Sequence, residues 1–94
     1  MGLARLIARA VGEIEAAVRH IRDSDEVLAR CREIKRAEEE GDVAWEAAVT
    51  DLFAGFPDPL DVIRWKALYD QLEDTLDVCD DVANELETIT VKHA

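Results

Sequence analysis

The chain has 94 residues, of which 49% are hydrophobic and 35% charged, with 4 Gly and 2 Pro. That balance fits one small folded domain over residues 1–94 and excludes a disordered or low-complexity chain. Asp and Glu number 22 against 11 Lys and Arg, a formal net charge of -11, which repels phosphate backbones and anionic headgroups and favours multivalent cations. Nucleic-acid binding and direct membrane insertion are therefore not expected: no apolar run approaches the roughly 20 residues needed to cross a bilayer. Cys31 and Cys79 lie inside helical patterns and follow no signal peptide, so they are expected as reduced, buried thiols of a cytoplasmic protein.

The first element is a helix over residues 3–22, because Leu3, Ile7, Ala10, Ile14, Ala17 and Ile21 recur at alternating steps of four and three. Asp23-Ser24-Asp25-Glu26 then supplies a cap, with Asp23 or Ser24 accepting from free amides and Glu26 fit to reach back in a box-like arrangement.

The second helix spans residues 25–54 with a seam of Val27, Cys31, Ile34, Glu38, Gly41, Trp45, Ala48 and Leu52. A carboxylate at Glu38, where the period calls for an apolar residue, is costly unless paired or liganded. Ala37 beside it can take the inward place by a small rotation, which leaves Glu38 flanking.

Gly55-Phe56-Pro57-Asp58-Pro59 breaks the pattern: Gly55 suits a C-terminal cap, Asp58 an N-cap and Pro59 the first helical position. The third helix spans residues 59–92, with Trp65, Leu68, Leu72, Leu76, Cys79, Ala83, Leu86 and Thr90 as its seam. The whole reads as an all-α, antiparallel three-helix bundle.

Two carboxylate pairs stand out, Glu38 with Asp42 and Glu73 with Asp77, each spaced E-x-x-x-D so that both acids share one helix face. Like charges at that spacing repel by a few tenths of a kcal/mol, and a compensating cation relieves them. Glu73, Asp77, Asp81 and Asn84 extend the second pair into a polar row about 16 Å long beside the seam. By spacing alone a metal site and a solvated acidic face are equally good readings. Oxygen donors fit hard or borderline ions such as Fe, Mn, Mg or Ca, with Zn or Ni as substitutes.

The stretch from Ile63 to Glu73 (IRWKALYDQLE), followed by Asp77 and by Asp81-Val82-Ala83-Asn84-Glu85-Leu86-Glu87, resembles the PhoU-like accessory proteins of Pit-type inorganic phosphate transporters. Ile34–Asp42, Leu52-Phe53 and the closing Glu87–Lys92 fit the same resemblance, which spans the chain but only about the C-terminal three-helix unit of a usual member. The resemblance implies a regulatory protein, not an enzyme, that holds a metal cluster, iron above all, and contacts a Pit-type transporter at the inner face of the membrane. Carried over, the metal ligands are Glu38, Asp42, Glu73, Asp77 and Asp81. Asp81 stands where the wider family often has Asn, and Asp80 beside it leaves that ligand ambiguous. With half of the usual helices missing, a homo-oligomer is expected.

Other readings remain. A helical oligomer with empty acidic faces needs no metal. A di-metal carboxylate enzyme normally joins Glu to Glu-x-x-His, which the chain lacks. His20 and His93 read as surface residues, and Trp45, Trp65 and Tyr69 as packing residues, with Trp65 and Tyr69 beside Lys66 forming an alternative docking patch.

Overall fold

In the computed structural model, which describes residues 2–55 and 58–93, the chain folds as three helices and no strand among those residues: α1 (Gly2–Arg19), α2 (Ser24–Gly55) and α3 (Pro59–Lys92). The periodic apolar residues dictate this arrangement, since each helix has one stripe that only the other two can cover. α1 contributes Leu3, Ala10 and Ala17, α2 contributes Val27, Cys31, Ile34 and Ala37, and α3 contributes Leu76, Cys79, Ala83 and Leu86 to a dry core. Leu6, Ile7, Ile14 and Val82 pack against it from its margin.

Cross-links fix the antiparallel order. Arg30 of α2 donates to Glu13 of α1 at 3.1 Å, and Cys31 Sγ donates to the Ala83 carbonyl of α3 at 3.4 Å. At the other end, Trp45 Nε1 of α2 donates to Asp70 of α3 at 2.9 Å. Gly41 lies where Leu3 of α1 and Leu76 of α3 converge. The helices differ in length, about 27 Å for α1 against about 50 Å for α2 and α3, in a molecule 54 Å long. α1 therefore begins level with Gly41, and beyond it α2 and α3 continue as a two-helix hairpin.

Helix ends agree with the expected bounds apart from the first turn. α1 stops at Arg19 instead of residue 22, and Ile21 is 45% exposed instead of joining the seam. Two bonds that each span three residues, Ile21 N–H to the Val18 carbonyl and Asp23 N–H to the His20 carbonyl, turn the chain there. Asp23 caps α2 by accepting from the Glu26 amide at 3.2 Å, but Glu26 does not reach back: it accepts from Arg30 at 2.8 Å. A full positive charge one turn along is the stronger attraction for its carboxylate. Asp58 caps α3, accepting from the Leu60 amide at 2.9 Å, with Pro59 in the first turn. Gly55 is the last residue of α2, while the expected Phe56-Pro57 break lies outside the described residues.

In α3 the seam is buried from Leu76 to Thr90, but Leu68 and Trp65 are 44% and 43% exposed. These two positions lie beyond the reach of α1, so the expected burial fails for want of a third helix. Thr90 ends the seam with a buried hydroxyl that has no hydrogen-bond partner among the described residues.

Candidate metal centre

Ala37, fully buried, takes the inward place on α2. Glu38 is thereby turned to the margin of the core, half-buried, on the side where α2 faces α3. One turn later Asp42 projects from the same face, and Asp77 of α3 stands opposite. Glu38, Asp42 and Asp77 each bring a carboxylate oxygen within 4.8 Å of the other two. Oxygens that share one hard cation at about 2.0–2.6 Å stand roughly 3–5 Å apart, so this donor set fits a single ion in both spacing and chemistry.

The electrostatics are those of crowded acids. Partial burial, reinforced by the charges of Asp42, Asp80 and Asp77, pushes the Glu38 carboxyl up to about 7. Desolvation and then the charge of Asp42 also raise Asp77 and Glu73. A cation placed among these oxygens relieves each of those costs at once.

The predicted residues are thus brought together unequally. Glu38, Asp42 and Asp77 form the group; Glu73, half-buried one turn along α3 from Asp77, feels both Asp42 and Asp77. Asp81 is exposed and stands outside the group. Its neighbour Asp80 acts on Glu38 and lies 3.7 Å from Lys35 of α2, whose ammonium also bonds the Asn84 side-chain oxygen. The polar row of α3 that flanks its contact with α2 is consequently Glu73, Asp77, Asp80 and Asn84, of which Asp77 and Asn84 are exposed. The seam itself held this signal, because stepping one residue beyond Leu72, Leu76, Cys79 and Ala83 gives those four positions.

Lys35 is a cation at this row that the sequence pattern did not single out. It sits at the Asp80 end of the row and offsets part of the acidic charge there. At the other end, Asp70 accepts from Lys66 Nζ at 2.8 Å and from Trp45 Nε1, and these donors, Lys66 foremost, lower its carboxyl. Lys66 therefore faces α2 with its ammonium 6.0 Å from the Trp45 ring, whereas Trp65 and Tyr69 pair with each other at 6.1 Å. His20 and His93 are exposed. Cys31 and Cys79 are buried free thiols, raised by desolvation. No helix among the described residues is long and apolar enough to cross a membrane.

No protein-family model matches the chain, and no solved structure matches it. Over 61 residues, or 65% of its length, it is 39% identical to the UPF0111 protein YkaA of Bacillus subtilis (strain 168), a stretch that makes up 30% of that protein. The chain thus spans less than a third of the curated relative it matches, and what it shares with that UPF0111 protein is a similarity of one segment.

Proposed function

We propose that the chain is a metal-binding, PhoU-like regulatory module of inorganic phosphate transport, which acts by protein contact with a Pit-type transporter. The observation that carries this reading is the convergence of Glu38 and Asp42 from α2 with Asp77 from α3. UPF0111 is a PhoU-like family, and the similarity to YkaA supports the same assignment.

In this reading Glu38, Asp42 and Asp77 hold the ion, with Glu73 at hand from the next turn and Asp81 reserved for a second ion at the exposed edge. Iron is the first choice and Mn, Zn, Ni, Mg or Ca are alternatives, since oxygen donors accept all of them. A bound cation would clamp α2 to α3 and offset part of the net charge of -11. The clamped bundle then presents a fixed surface to its partner, peripheral to the cytoplasmic side of the membrane. Catalysis is not part of the reading.

A second reading, a metal-free structural bundle that self-associates, is favoured by the Lys35 to Asp80 bridge, which already neutralises one end of the acidic row. Elemental analysis of the untagged protein with thermal melts before and after chelation separates the two. One or more ions per chain and a lower melting temperature after stripping support the metal module. No metal, and no shift on adding Fe, Mn or Zn, supports the structural bundle.

A further inference from the structure

The core seam of α2 and α3 does not stop at the level where α1 begins. On α3, Leu76, Cys79, Ala83 and Leu86 are buried, yet the same stripe continues through half-buried Leu72 to Leu68 at 44% and Trp65 at 43% exposure. On α2 the matching stripe passes from buried Gly41 to half-buried Ala44 and Ala48, and closes again where Leu52 of α2 and Val62 of α3 are buried near the tip of the hairpin. The open stretch of α2, from Asp42 to Asp51, is about 15 Å long, nearly three helical turns, before α3 alone covers Leu52. Its geometry is that of a site for a third helix, continuous with the one that α1 fills.

Charge decides which helix. Between Asp42 and Thr75 the chain carries eight Asp or Glu against Arg64 and Lys66 alone, and Lys66 is engaged by Asp70. A second copy that applied the same hairpin would bring a like set of carboxylates against these, and an anionic membrane surface would be repelled as well. α1 supplies the template for what fits. In its first half the only charged side chains are Arg5 and Arg9, and Arg9 meets Glu40 at 3.1 Å beside the open stretch.

We propose that the open seam of the α2–α3 hairpin, centred on Trp65 and Leu68, docks a basic amphipathic helix of a partner protein as the third helix of the bundle. The apolar face of that helix covers Leu72, Leu68 and Trp65, and its Lys or Arg side chains lie over the acidic hairpin. The inference rests on the proposed function only in supposing a protein partner, because the seam needs no metal.

The test uses two synthetic helical peptides with the same Leu spacing, one with Lys and Arg on its outer face and one with Glu. Binding to the whole chain is followed by fluorescence anisotropy, with and without chelator. The basic peptide is expected to bind, to weaken as salt rises, and to be unaffected by chelation. The Glu peptide is expected not to bind. Leu68→Asp should weaken binding at least about tenfold, and Val43→Asp, a change at an exposed residue of another face, should leave it unchanged. Equal binding of both peptides, binding of neither, or indifference to Leu68→Asp overturns the proposal. So does binding that needs metal, which would place the docking determinant in the carboxylates. A chain that self-associates until Leu68→Asp makes it monomeric also overturns it, by naming a second copy as the occupant.

Discussion

Gly41 of α2 and Leu76 of α3 meet where all three helices converge, so closely that a methyl group added at Gly41 would overlap the Leu76 side chain, with Leu3 at 3.8 Å on the third side. Gly41 stands between Glu38 and Asp42, and the close approach that it permits sets Asp77, one residue beyond Leu76, across from both acids. Packing on the inner face and carboxylate spacing on the outer face are two sides of the same contact.

Gly41→Ala tests the contact directly. The substitution gains about 1 kcal/mol of helix propensity but forces Leu76, only 1% exposed, into neighbours at a cost of about 1–3 kcal/mol. A net loss of about 1 kcal/mol is expected in urea denaturation, and a larger one for Gly41→Val. A stabilised Gly41→Ala protein would show that Leu76 has room to move.

Glu38 gives the metal-free protein an unusual pH dependence. Its folded-state value of about 7 lies above the ordinary 4.5, so its contribution to stability is complete below about pH 4.5 and is lost as pH rises through 7. Chelated protein should therefore melt lower at pH 8 than at pH 5.5 by an amount worth on the order of 1–2 kcal/mol after solvent screening. Glu38→Gln should flatten that slope. A slope that survives the substitution would place the titrating group elsewhere.

The ligand set can be read from four alanine variants. Glu38→Ala and Asp77→Ala remove oxygens of the central group and should weaken metal binding at least about tenfold, a loss of about 1.4 kcal/mol or more. Glu39→Ala, one position off the face, should have little effect, and Asp81→Ala should change only a weaker second site. Titration calorimetry with Mn or Zn checks the order. An equal loss in all four would mean that bulk negative charge, not a defined site, holds the ion.

Thr90→Val replaces a buried hydroxyl that has no partner among the described residues by a methyl group of nearly the same shape. Removing an unsatisfied polar group from the core should stabilise the protein by about 1 kcal/mol, seen as a raised midpoint in urea. A destabilised variant would mean that a water or a neighbouring carbonyl meets the hydroxyl in solution.

The bundle was legible in the sequence because steps of three and four leave few alternatives, and the three helices begin and end within about three residues of the expected places. The side chains at the margin of the core were harder. Ala37 displaced Glu38 from the seam, since a methyl group costs nothing to bury and a carboxylate does. Asp80, not Asp81, faces α2, because a stripe beside the core must follow the core's own alternation of steps instead of a run of fours. The exposure of Trp65 and Leu68 depends on where a different helix begins, and the pattern of one helix does not carry the length of its neighbour.

The unequal helix lengths also divide the molecule by how readily its backbone opens. The buried residues of α2 from Val27 to Gly41 and of α3 from Leu76 to Leu86 belong to the three-helix part, whereas beyond Gly41 and before Leu76 the two helices have only each other, with Leu52 and Val62 buried between them. Amide hydrogens of the hairpin should exchange with solvent through local fraying, and those of the three-helix part only through cooperative unfolding. The carboxylates of Glu38, Asp42 and Asp77 sit on the boundary between these two regimes, at the first place where fraying from the tip would meet resistance.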